Sequence, residues 1–254
     1  MFLESQIYYF FLIFIRTTTF ISVAPFFGDN SVNRMVKIGL GGLLALAVYP
    51  VATVNAPMID LTLVTIMIAV GAEILVGLII GFMLQFIFAA AQMGGEYIGM
   101  DMGLAMATQM DPNFNQQISI IGTLFYLLTL MAFILLEGHL FLIQAFSFSY
   151  IAIPVASIQL TPLALDAIIK IAGIIFVIAV KIAAPAIVAL FLASIAMGIS
   201  ARAVPQMNIF FVGIPLRIGA GLFAIILSLP LFFYVFEKVL LSFENQLDNL
   251  IRAM

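Results

Sequence analysis

Seven near-continuous apolar runs dominate the chain, over residues 7–27, 35–53, 61–91, 118–136, 140–158, 167–199 and 209–236. A spanning helix needs about 20 such residues, because a backbone in lipid has to satisfy its hydrogen bonds within its own segment. Runs of this length exclude an ordinary soluble fold, and the lack of period-two alternation excludes a membrane barrel. The expected class is all-α, a polytopic helical membrane protein of about six or seven spans. Composition agrees: 65% of residues are hydrophobic and 8% charged, with a mean hydropathy of +1.28.

The run over 61–91 exceeds a single span. As one helix it extends roughly 46 Å at 1.5 Å per residue, so either a long tilted helix or a helical hairpin is expected. The run over 140–158 carries Gln144, Ser147, Ser149 and Pro154 and is the weakest span. Polar breaks fall at 28–37, 92–117, 159–166 and 200–208. The first and last read as turns. Arg34 and Lys37 follow the first run while Glu4 precedes it, which places the N-terminus outside under the positive-inside rule. That first run lacks a basic leader and a small-residue cleavage pattern, so it reads as a retained helix.

Residues 237–254 set Leu240, Phe243, Leu247, Leu250 and Met254 at three- and four-residue spacing, the pattern of an amphipathic helix. Such a helix lies at the interface, packs on its own protein, or docks on a partner. No repeat of 20 to 50 residues is visible, so a solenoid is not expected.

Nine basic and 12 acidic residues give a net charge of -3, spread too thinly to track a phosphate backbone, and nucleic acid is not an expected partner. Zero Cys removes thiolate metal sites and thiol nucleophiles, and the single His139 cannot build a His-rich metal site. Neither a G-x-S-x-G elbow, an H-E-x-x-H pair nor a phosphate loop occurs. No catalytic residue, cofactor site or metal site is expected, and the chain does not read as an enzyme.

Four charges interrupt the apolar runs: Arg16, Glu73, Lys181 and Arg217. Each costs about 2.5–3.5 kcal/mol at the centre of a spanning helix, so each needs compensation. Pairing with one another, burial within an assembly, and lining a polar path all supply it. Small residues four apart at Gly77 and Gly81, and again at Gly95, Gly99 and Gly103, signal close helix packing.

Five of the 14 Met fall within 92–117: Met93, Met100, Met102, Met106 and Met110. With Gly residues and the Asp111–Pro112 break, this stretch is too apolar for a solvated loop and too polar to face lipid. Irregular backbone at membrane depth is tolerated where it is buried in protein or lines a cavity, and Met adapts to irregular gaps. A re-entrant or pore-blocking loop and a Met-filled helix junction both fit.

Several motifs together resemble the FliR/SctT family of membrane subunits of the type III protein-export gate, and its flagellar members in particular. They are Arg16 followed by APFFG (24–28), GGEYIGMDMGLAMATQMDP (94–112), EGHL (137–140), Ile153 with Pro154, APAIV (184–188) and RAVPQMNIFFVGIPLR (202–217). The resemblance implies one membrane-embedded export-gate domain over 1–254, with the amphipathic helix 237–254 inside it and helical hairpins packed among other subunits. It implies FliP, FliQ, FlhB and FlhA as partners, the bacterial inner membrane at the centre of the flagellar basal body as location, and unfolded rod, hook and filament proteins as cargo. By motif, the family's pore plug carries over to about 103–117, where Gly103, Met106, Met110, Asp111, Pro112, Phe114 and Asn115 are the candidate gate residues. In such an assembly Arg16, Glu73, Lys181 and Arg217 serve pairing or subunit packing. A small secondary transporter or proton-conducting channel is the alternative the in-span charges allow, and a membrane enzyme ranks third.

Overall fold

The computed structural model describes residues 2–29, 32–54, 62–104, 119–158, 161–203 and 209–254. Among the described residues the chain is all helix, with no strand: α1 Phe2–Val23, α2 Arg34–Ala52, α3 Leu63–Asp101, α4 Ile120–Leu135, α5 Gly138–Ala152, α6 Pro162–Ala203 and α7 Ile209–Ala253. Five of them are long and apolar enough to cross a membrane, and α4 with α5 supplies a sixth span if that bent pair counts as one. The polytopic all-α expectation holds.

Helix starts follow local chemistry. The Asn33 side chain accepts from the Met35 amide at the head of α2, and Ser119 accepts from Gly122 at the head of α4. Each supplies one of the orphan amides of a first turn with an acceptor. Pro162 opens α6, where its missing N–H costs nothing, and Thr161 accepts from the Ala164 amide. The break expected over 159–166 is therefore shorter than composition suggests.

Two boundaries differ from the sequence reading. The long run beginning near 61 is a single 39-residue helix, roughly 58 Å at 1.5 Å per residue, so the hairpin option fails. It also runs through Gln92 to Asp101, the first part of the expected polar break. Glycines here are packed rather than loose: a Cβ on Gly95 would meet the Ile121 carbonyl at 2.6 Å, and one on Gly94 the Ala179 carbonyl at 2.9 Å. Between α4 and α6 the helix has neighbours on both sides, and Gln92 donates to Glu96 one turn on. The weak run over 140–158 becomes the 15-residue α5, which opens after Glu137, whose φ of 57° is left-handed.

The chain forms two compact units. One comprises Met1–Ile87, Glu137–Gly173 and Leu240–Met254; the other comprises Phe88–Leu136 and Ile174–Val239. In the first, α1 packs along α2 so closely that a Cβ on Gly41 would strike the Thr18 hydroxyl, while Phe20 stacks on Phe146 of α5. The end of α7 belongs here: Leu247, Leu250 and Ile251 are fully buried, and Thr161 donates to the Ala253 carbonyl at 2.6 Å. Of the three roles open to that amphipathic face, the one it takes is packing on its own protein.

In the second unit the core joins α3, α4, α6 and α7 through Ile98, Phe125, Ile182, Ala186, Leu190 and Phe232. Phe125 meets Phe232 edge-on at 5.4 Å, a favoured aromatic geometry.

Candidate functional site

Arg16 on α1 and Glu73 on α3 are both fully buried and face each other inside the first unit. Arg16 Nε donates to Glu73 Oε2 at 2.5 Å and Nη2 to Oε1 at 3.1 Å, a two-pronged pairing that only a guanidinium makes. Its remaining nitrogen, Nη1, donates to the carbonyls of Ile153 (3.1 Å) and Ser149 (3.4 Å) at the end of α5. A cation suits that place, because the last carbonyls of a helix lack partners and carry partial negative charge. Pro154 follows at once and cannot extend the ladder.

Glu73 completes the arrangement by accepting the Ala156 amide at 2.7 Å, where Ala156 holds a left-handed φ of 63°. The Tyr150 ring lies 4.3 Å from the guanidinium carbon, and the Tyr150 hydroxyl donates to the Ile13 carbonyl at 3.2 Å. All three guanidinium nitrogens and both carboxylate oxygens are thereby engaged. Low dielectric makes such a network expensive to break, and removal of one member of a buried pair costs about 3–5 kcal/mol. Chemically it is a lock that joins α1, α3 and the link after α5.

The other two in-span charges are arranged differently. Lys181 is exposed on α6 and, among the described residues, has no ion-pair partner. Arg217, half-buried on α7, shares with Asp101 a cleft of about 310 Å³ whose wall includes Ile187, Leu190, Phe191 and Ser194. Near the surface Lys170 pairs with Asp166 one turn away at 2.7 Å, an exposed contact worth little.

Of the candidate gate residues, Gly103 is described: it follows α3 with a φ of +82° and donates to the Met100 carbonyl at 3.0 Å. The left-handed conformation ends the helix and favours glycine. Nothing crowds its missing Cβ, so unlike Gly95 and Gly99 it serves the backbone turn and not helix contact. Met106, Met110, Asp111, Pro112, Phe114 and Asn115 lie outside the described residues. Met102 is fully buried in the second unit, against Gly221 of α7, whereas Met100 is exposed.

Sequence reasoning missed four participants: the Ser149 and Ile153 carbonyls, the Ala156 amide and the Tyr150 ring. The first three are backbone groups with no residue signature; the one available signal was Pro154, which marks carbonyls left without a helical partner. Among the described residues no group of His, Asp and Glu is placed to hold a metal ion.

Long apolar helices tied by a buried ion pair and by glycine-tight crossings define a polytopic helical membrane protein. The chain belongs to the family described as bacterial export proteins, family 1, whose model matches residues 7–243. It is similar to the flagellar biosynthetic protein FliR of Pectobacterium carotovorum subsp. carotovorum, 34% identical over 87% of this chain and 84% of the relative. FliR of Escherichia coli (strain K12) is 30% identical over 94% and 91%. A relative named for another system, Yop proteins translocation protein T of Yersinia pestis, is 30% identical over 83% and 81%. The resemblance read from the motifs is borne out at the level of the family.

Proposed function

We propose that this chain is a structural and gating subunit of a flagellar type III protein-export channel in the bacterial inner membrane, at the centre of the basal body. Its partners are FliP-, FliQ-, FlhB- and FlhA-type subunits, and its cargo is unfolded rod, hook and filament protein. The observation that carries this reading is family membership over nearly the whole length, with flagellar biosynthetic proteins among the relatives. The engaged state of Arg16 and Glu73 adds support, since it removes two of the four charges that motivated a transporter reading.

In this reading the stretch 103–117 closes the pore, with Met106, Met110 and Phe114 sealing it and Asp111 and Pro112 shaping a loop that moves aside. Gly103 supplies the left-handed turn that releases this loop from α3. Two experiments test the proposal. A tagged copy is purified from membranes with and without the neighbouring export genes and weighed by native mass spectrometry. A defined complex with FliP- and FliQ-like subunits is expected, while a lone protein indifferent to those genes returns solute or proton transport to first place. Deleting 106–114 is expected to raise ion leakage through the assembled gate, and unchanged conductance in both closed and exporting states rules out the plug.

A further inference from the structure

Asp101, exposed, is the last residue of α3, at the helix end where the macrodipole disfavours an anion. The last turn of α3 carries no basic residue to offset it. Asp101 lines a cleft of about 310 Å³ together with Arg217, the one charge over residues 209–236. Among the described residues neither is in an ion pair, and no other charged residue lines the cleft.

Packing holds the two at one level of the second unit. Met102, next to Asp101, is fully buried against Gly221, where an added Cβ would meet Met102 Cγ at 2.6 Å. Gly221 lies one turn beyond Arg217 on the same face of α7. Beyond the left-handed Gly103, Leu104 packs against the same core. Apolar contacts therefore pin the exit of α3 on both sides, but a flexible Met side chain fixes no direction. The remaining wall is apolar (Ile187, Val188, Leu190, Phe191) apart from Ser194, whose hydroxyl donates to the Leu190 carbonyl at 2.8 Å. Val188 and Phe191 are exposed, so the mouth of the cleft is open to water in the lone chain. Once lipid or protein covers that mouth, Arg217 is the one group lining the cleft that can neutralise Asp101. Opposite charges attract strongly when water leaves, and a guanidinium engages both carboxylate oxygens at once.

We propose that Arg217 is a positioning residue for the gate: in the assembled complex its guanidinium pairs with the Asp101 carboxylate across the cleft and fixes the end of α3 from which the chain turns at Gly103. This inference rests on the plug reading above, and it names what holds the base of that plug.

The test measures ion leakage through the closed gate, assembled from the full chain with the neighbouring export genes. Arg217→Gln and Asp101→Asn each raise leakage about tenfold, the order of change that coupling within a contacting pair gives. The two together leak no more than either alone. Exchanging the charges, Asp101→Arg with Arg217→Asp, brings leakage back near wild type, although each reversal alone leaks. Residues that merely pack give additive effects and no rescue by exchange, and either result overturns the inference. Proximity is read separately: membranes carrying Arg217→Lys are treated with a carbodiimide, which joins an amine to a carboxylate in contact, and the linked peptides are sequenced by mass spectrometry. A link within the chain between positions 101 and 217 is expected, with the exposed Lys170–Asp166 pair as the internal control. A link from 217 to a carboxylate of another subunit, or the control link alone, overturns the inference. Where native mass spectrometry shows that a leakage variant does not assemble, the carbodiimide link decides. If deletion of 106–114 leaks while the variants at 101 and 217 do not, this inference alone falls; if the deletion does not leak, the plug reading falls and takes it along.

Discussion

The two compact units share glycine-tight helix crossings and differ in what else fills their interiors. In the first, a buried guanidinium–carboxylate pair satisfies backbone groups from a third segment; in the second, the core is apolar side chains with no charge among them. The ionic unit is sensitive to chemistry, because any lost partner strands a charge in a dry interior. The apolar unit is sensitive to volume, because its helix backbones already approach as closely as glycine permits. A membrane protein gains little from apolar burial relative to lipid, so packing and polar networks are the means available to both units.

The largest effect is expected at the ion pair. Arg16→Ala should cost about 3–5 kcal/mol, read as a lowered midpoint of thermal unfolding in detergent. The double variant Arg16→Met with Glu73→Leu should regain part of this, still leaving the Ala156 amide and Ile153 carbonyl unpartnered at about 1–3 kcal/mol each. A double variant no better than the single one would mean that backbone capping, and not the charge pair, carries the first unit.

Next comes Gly95→Ala, whose Cβ would press on the Ile121 carbonyl and on the backbone of Gly122. Overpacking of this kind costs about 1–3 kcal/mol. Hydrogen exchange should rise in α4 while α1 and α2 stay protected, and equal loosening of both units would remove the distinction between them. Thr161→Val, which unties the Ala253 carbonyl and removes the acceptor of the Ala164 amide, should cost about 0.5–2 kcal/mol and raise exchange in the last turn of α7 and the first turn of α6.

The smallest effect belongs to Gly221→Ala. Its Cβ would lie 2.6 Å from the Met102 side chain, a flexible neighbour that can rotate away. A penalty below about 1 kcal/mol is expected, partly offset by the better helix propensity of alanine. A loss as great as that of Gly95→Ala would show that the second unit treats side-chain and backbone obstacles alike.

Periodicity made the helices legible, along with the amphipathic face at Leu247 and Leu250 and the need of Arg16 and Glu73 for compensation. Their pairing was not legible, because the partners are 57 residues apart and the third participant, the Ala156 amide, has no side-chain signature. Composition also misread Gln92 to Asp101 as a break. Its glycines look like helix breakers when counted alone, yet at Gly94 and Gly95 they admit neighbouring backbones that hold the helix together. The surface met by the α7 end was likewise settled by distant residues such as Thr161 and Phe148, over whose ring Arg252 lies at 5.2 Å.

The first unit draws its parts from three stretches of chain, and residues 240–254 are made after all the others. During synthesis the Arg16–Glu73 lock can close once Ala156 has emerged, whereas the seat for Leu247, Leu250 and Ile251 stays open while 174–239 are still being added. In chain order, the parts of the charge pair thus precede the apolar residues that complete the same unit, so the unit's last contacts are made by a stretch separated from the rest by 174–239.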